Sequence, residues 1–128
     1  MSKDQFEKGL AIRNQVMGKS YTDKAFASPN AFDQDLQRLL TEFGYGAVWA
    51  REGLPIRTRS LITVAVLATL NRPEELSHHV RGALNLGLGE AEILEALLQI
   101  LPYAGAPAMQ GGLRTARAAF EEAKKSAK

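Results

Sequence analysis

Apolar positions recur at helical spacing along most of the chain, and no segment alternates convincingly in the manner of a half-buried strand. Phe6, Leu10, Val16 and Met17 fall on one side of a helix predicted over residues 3–17. Ser2 and Gln5 have capping-box spacing at its start, and Gly18 can end it. Residues 19–27 read as a connection. Ser28-Pro29 then opens the next helix, a hydroxyl N-cap followed by proline at the first helical position. Phe32, Leu36, Leu39, Leu40 and Phe43 form its apolar stripe, Gly44 closes it, and residues 49–55 read as a loop.

Residues 56–70 predict the most hydrophobic helix. Leu61, Ile62, Val64, Ala65, Val66, Leu67 and Ala68 leave it apolar on nearly all sides, as expected of a central helix or one buried at a subunit contact. Its β-branched content would also suit a strand, but its length and lack of alternation decide for helix. Pro73 starts another, with Glu74 and Glu75 in the first turn, where the macrodipole favours carboxylates. Leu76, Val80, Ala83 and Leu84 are its buried stripe and Gly87 its end. A helix over residues 90–101 turns Ile93, Leu94, Leu97, Leu98 and Leu101 inward, and Pro102 must kink or stop it. Pro107 begins the last helix, in which Gly111-Gly112 suggests close packing. The expectation is an all-α chain of six to seven helices, with residues 1–128 forming a single domain.

Composition narrows the function classes. Hydrophobic residues make up 45% of the 128 and charged residues 23%, which suits a globular protein rather than a disordered one. The absence of cysteine excludes a disulfide scaffold, a thiolate nucleophile and a cysteine-ligated metal. The polar N-terminus has no signal-peptide core, and the longest apolar stretch, Leu61 to Leu70, is far short of the ~20 residues that span a bilayer. No membrane association is expected, and the location expected is cytoplasmic. A net charge of +2, from 16 basic and 14 acidic residues, favours small anions and is too dispersed for nucleic acid.

The candidate chemistry is sparse. His79 lies three residues after Leu76 and four before Ala83, so it projects toward the apolar face. His78 is rotated by about 100° and is expected to be solvated. A histidine on an apolar face is more often a satisfied core residue than a catalyst. Arg57 and Arg59 stand near a helix N-terminus, which repels cations. They suit either a salt bridge or a clamp for a carboxylate. Glu42, near the expected end of its helix, could pair with an arginine or act as an acid or base. Trp49 and Tyr103 could line a pocket, with core filling the default. Gly87-Leu88-Gly89 is no phosphate loop, since no strand precedes it. Adjacent histidines cannot easily share a metal, so no metal site is expected.

Several of these segments, read in order from Phe6 to Phe120, resemble the γ-carboxymuconolactone decarboxylase family. Gly9, Arg13, Val16 and Gly18 match in type and spacing. Phe43-Gly44-Tyr45-Gly46-Ala47-Val48-Trp49-Ala50-Arg51 is similar to the family's aromatic-Gly-x-x-Trp-x-Arg stretch. Gly53-Leu54-Pro55-Ile56-Arg57-Thr58-Arg59-Ser60-Leu61-Ile62-Thr63 is similar to its most specific signature. Glu74-Glu75-Leu76 with His79-Val80-Arg81-Gly82-Ala83, and then Tyr103-Ala104-Gly105-Ala106-Pro107-Ala108, complete the pattern. Glu52 departs from the family's usual proline, and Ala104 and Gln110 stand where close relatives are expected to have cysteine and asparagine. These differences leave room for a different lactone.

The resemblance implies an AhpD-like helical fold assembled into a ring, commonly a hexamer. Peroxidase partners of that fold carry a CxxCxxxH motif; here Arg72 and Glu75 hold the two cysteine places, so dithiol chemistry is impossible. It also implies cofactor-free loss of CO₂ from a small anionic lactone, 4-carboxymuconolactone, in protocatechuate catabolism. The substrate's conjugated carbonyl takes up the electrons, so no cofactor is needed. His79 would donate a proton or stabilise the oxyanion, and Arg59 or Arg57 would anchor the retained carboxylate. Glu42, Trp49 and Tyr103 would be pocket residues, with Glu42 orienting or charging a partner. The alternatives are an AhpD-like protein without thiol peroxidase activity and a non-enzymatic interaction protein whose apolar helix only builds an oligomer.

Overall fold

The computed structural model describes residues 2–126, and among them every regular element is helical. The chain packs as two compact units, one ending at Ile56 and the other beginning at Arg57.

The first unit starts with α1, Lys3–Met17, as the periodicity predicts. The Gln5 amide donates to Ser2 Oγ at 3.1 Å, while the Gln5 side chain reaches outward and donates to the Glu42 carbonyl at 2.9 Å. Gly18, at φ 91°, turns the chain directly into α2, Lys19–Phe26, in the stretch expected to be a connection. One local ion pair and packing against α1 hold that stretch in place. Lys19 and Asp23 pair at i,i+4 (2.8 Å), Thr22 is buried, and the Phe26 ring meets Phe6 edge to face at 6.0 Å.

The third helix also departs from expectation at both ends. Asn30, not Ser28, caps α3, Ala31–Leu39, accepting from the Phe32 amide at 2.8 Å. Ser28 instead donates to Asp33 at 2.6 Å. Gly44 does not close the helix: it continues as a π-helix, Leu40–Trp49, whose wider ladder ends with the Ala50 amide on the Tyr45 carbonyl at 2.9 Å. The predicted stripe is not buried either. Phe32 is 85% exposed, and Leu36, Leu39, Leu40 and Phe43 all face outward.

Backbone contact with α1 explains why the π-helix lies where it does. A Cβ on Gly9 would collide with the Thr41 carbonyl, and one on Gly46 would lie 2.5 Å from the Gln5 carbonyl. Only glycine at both places lets the two helices approach so closely.

The second unit has the aliphatic core. Helices α4 (Ile56–Thr69), α5 (Pro73–Asn85), α6 (Glu90–Ala104) and α7 (Ala106–Ser126) bury Val64, Ala68, Leu76, Val80, Ala83, Ile93, Leu97, Ile100, Ala116, Ala119 and Phe120 together. Gly112 is the close-packing glycine, since a Cβ there would lie 3.0 Å from Ala68 Cβ and 3.1 Å from Leu97 Cδ2; Gly111 meets nothing comparable. Gly87, at φ 87°, closes α5 in a Schellman turn, with the Leu88 amide on the Ala83 carbonyl at 3.0 Å. In the single chain Ile62 and Val66 of α4, and Leu70 just after it, are exposed, which fits the subunit-contact alternative for this helix and not the central one. Two expectations are corrected. Leu98 and Leu101 face outward, and Ile100 takes the inward place. Pro102 does not stop α6, which runs on to Ala104, because a proline in the last turn forfeits only one intrahelical bond.

Tyr45 makes the stability of the first unit sensitive to high pH. It is buried at 8% exposure, and burial pushes its phenol up to about 12 from 10.0; the nearby Arg13 cation opposes the rise and Tyr21 adds to it. The native state therefore keeps a proton that the unfolded chain has lost. The associated stability is complete below about pH 10 and is lost as pH climbs towards about 12. It amounts to roughly 2–3 kcal/mol at one pKa unit per 1.36 kcal/mol. Urea unfolding between about pH 9 and 12 should show the wild type losing roughly 2 kcal/mol more than Tyr45→Phe. Parallel losses in the two proteins would contradict this burial.

Candidate functional site

In the first unit the π-helix carries Glu42 and Trp49. The continuation past Gly44 places Glu42 inside a longer helical run rather than near its end. Glu42 lines a shallow hollow of about 250 Å³ with Lys3, Phe6 and Arg38, and among the described residues no ion pair joins it to either cation. The expected arginine pairing is thus not formed within this unit. Trp49 is half-buried and stacks on Tyr45, ring centroids 5.7 Å apart at 24°.

Arg13, named from the sequence only as a matching position, is held by four partners. It is 4% exposed. Nη1 donates to Thr41 Oγ1 at 3.0 Å and Nη2 to Gln37 Oε1 at 2.6 Å. The guanidinium carbon lies 5.7 Å from the Phe26 ring centroid and 5.6 Å from that of Tyr45. The available signal was a cation at position 13, within the apolar run Leu10, Val16, Met17 of a helix.

In the second unit α4 carries Arg57 and Arg59, α5 carries the histidines and α6 carries Tyr103. Arg57 takes the salt-bridge role. Its Nη2 lies 3.6 Å from Glu92 Oε1 and donates to the Gly87 carbonyl at 3.2 Å. Glu92 also accepts from the Gly89 amide at 3.2 Å, so one carboxylate caps α6 and holds the start of α4. That pair is about half exposed and contributes little stability of its own. Arg59 is half-buried with Nε shut from solvent, and its carbonyl accepts from Thr63 Oγ1 at 2.8 Å.

His79 sits on the side of α5 that buries Leu76, Val80 and Ala83, with Nδ1 out of reach of solvent. His78 is half-buried too, which corrects the solvated reading, and Gly82 on the same face of α5 one turn on is buried. Tyr103 is 87% exposed, so it does not fill the core of the single chain. Its place, beside Pro102 at the exposed end of α6, turns it away from Ile93, Leu97 and Ile100. No three His, Cys, Asp or Glu side chains among the described residues cluster as metal ligands, and no helix there is long and apolar enough to cross a membrane.

Comparison with known proteins bears on what these residues serve. The carboxymuconolactone decarboxylase family matches residues 34–118. The chain is 37% identical over 120 residues to a 4-carboxymuconolactone decarboxylase of Acinetobacter baylyi, covering 94% of this chain and 90% of that one. It is 38% identical over 102 residues to a nitrosuccinic acid decarboxylase of Metarhizium robertsii, covering 80% of this chain and 71% of that one. An uncharacterised 15.0 kDa protein of Paracoccus denitrificans is 35% identical over 86 residues, 65% of this chain and 63% of its own. The all-helical architecture is the AhpD-like one of that family. With a family match running from within α3 into α7, and 37% identity over 94% of its own length to a named decarboxylase, this chain belongs to the carboxymuconolactone decarboxylase family.

Proposed function

We propose that the protein removes CO₂ from 4-carboxymuconolactone to give 3-oxoadipate enol-lactone, without a cofactor, in the cytoplasmic breakdown of protocatechuate. The observation that carries this reading is the 37% identity to a 4-carboxymuconolactone decarboxylase over 94% of the chain. The relative that decarboxylates nitrosuccinic acid supports a second substrate of the same kind. Both molecules have two carboxylates and their own electron sink, a conjugated carbonyl in one and a nitro group in the other. The protein then needs a cation for the retained carboxylate, a donor for the developing negative charge and a dry wall at the departing carboxylate.

Arg59 is taken as the anchor: it is half-buried with Nε shut from solvent, whereas Arg57 is exposed and ties Glu92 and the Gly87 carbonyl at the rim. Half-burial also strengthens its attraction for a carboxylate relative to open water. His79 delivers the proton to the α-carbon of the dienolate as CO₂ leaves. Glu42 orients a donor, and Trp49 and Tyr103 form walls. The purified, chelator-treated protein should release CO₂ from 4-carboxymuconolactone faster than from nitrosuccinate; the reverse order would favour the second substrate. His79→Gln should lower kcat by ~10²-fold with little change in KM, the mark of an interaction made in the transition state. Arg59→Ala should raise KM about tenfold or more, since its contact precedes reaction. His78→Gln should stay within a few fold of wild type on both counts. A folded His79→Gln enzyme with full activity would overturn the assignment.

The same reading includes a ring of identical subunits, a hexamer. Its support is the exposed apolar patch of Ile62 and Val66 on α4 with Leu70 just beyond it, and the stripe Phe32 to Phe43, which a lone chain would leave in water. Light scattering should give the mass of six chains, and Val66→Asp should give a smaller species. A monodisperse wild-type monomer at micromolar concentration would contradict assembly.

A further inference from the structure

Arg13 presents a problem that packing alone does not solve. Its guanidinium is buried, and among the described residues no carboxylate pairs with it. An apolar side chain could fill such a slot without losing the hydration of a cation, and buried charges are often replaced that way at no loss of stability. The arginine is therefore best explained by what it orders. Thr41 gives its hydroxyl proton to the Gln37 carbonyl at 2.8 Å, which leaves its oxygen lone pairs toward Arg13. The cation thus grips Gln37 and Thr41, one turn apart, where α3 passes into the π-helix. It also faces the Tyr45 ring, one turn further along, and Tyr45 in turn stacks on Trp49. Four residues at i,i+4 spacing, 37, 41, 45 and 49, are linked through one guanidinium.

We propose that Arg13 is a positioning residue: through the Tyr45 ring it fixes the plane of the Trp49 indole, and so the wall that Trp49 presents to the substrate. This rests on the reading of Trp49 as a pocket residue. Phe26 holds the guanidinium from its other contact, so the cation cannot follow Tyr45 if that ring moves. A lysine keeps the charge but has neither the planar face nor the paired donors that reach Gln37 and Thr41 together.

Trp49 is the only tryptophan, so its fluorescence reports the indole environment directly. Arg13→Met, checked for native helicity and assembly, should shift the emission to the red and make it more accessible to acrylamide. On 4-carboxymuconolactone it should raise KM about tenfold and leave kcat within about threefold, because a wall contact exists before and during reaction. A role confined to stability would lower the active fraction and leave KM alone. Arg13→Lys should recover neither the emission nor KM. Tyr45→Leu breaks the link while leaving the hydrogen bonds of Arg13 in place, so it should reproduce the emission shift even if Arg13→Met does not fold. In a Trp49→Leu background, Arg13→Met should add nothing to KM.

Unchanged emission and quenching in folded Arg13→Met or in Tyr45→Leu would overturn the positioning claim without reference to any substrate. Additive effects on KM in the double variant would overturn it as well. If Trp49→Leu alone leaves KM unchanged, the pocket reading of Trp49 fails, and Arg13 then has no positioning role in this reaction whatever the fluorescence shows.

Discussion

Burying a cation forfeits several kcal/mol of hydration, and the first unit is arranged around recovering that loss at Arg13. Two hydrogen bonds to neutral acceptors and two aromatic faces replace water. Contacts of this kind contribute about 1.5–3 kcal/mol per charged hydrogen bond and up to ~2 kcal/mol per desolvated cation–π pair. All four partners must stay in place for the exchange to balance. That requirement ties α1, α2, the end of α3 and the π-helix to one point. The close approach at Gly9 and Gly46 and the Gln5 bond to the Glu42 carbonyl hold the same helices along their length. A π-helix is rarely stable alone, and here it is braced from α1 at several levels.

The second unit depends on a different principle. Its core is aliphatic and small, with Gly112 bringing α7 against Ala68 of α4 and Leu97 of α6. Polar ties appear at the rim, where Glu92 joins the start of α6 to Arg57 of α4. His79 is carried by α5 between Leu76 and Ala83, so its backbone position is set by ordinary core packing.

Much of this was legible from the residues. The limits of α1, α4 and α5 follow from periodicity, from Pro73 and from the glycines at 18 and 87. What was not legible has physical causes. Gly44 and Gly46 look like helix breakers, but Gly46 serves a helix–helix approach that only the partner backbone reveals. The stripe from Phe32 to Phe43 has the spacing of a buried face, and spacing alone does not say whether the chain itself or another surface covers it. The resemblance named His79 and Arg59 as candidates, and the salt-bridge partner of Arg57 was not legible because Glu92 is thirty-odd residues away in sequence and adjacent only in space. Arg13 was legible only as a matching position, because its contacts with Gln37, Thr41 and Tyr45 lie 24 to 32 positions along the chain.

The central claim is that the substrate supplies its own electron sink while one protein group supplies the proton at carbon. Decarboxylation of 4-carboxymuconolactone in D₂O tests it directly, with the product examined by deuterium NMR in a chiral orienting medium, which separates the two mirror-image monodeuterated products. The account predicts one deuterium at the new methylene carbon, delivered to a single face, because a fixed donor approaches the bound dienolate from one side. Deuterium divided equally between the two faces would mean that the dienolate is protonated by bulk solvent, and would contradict a proton donor held by the fold.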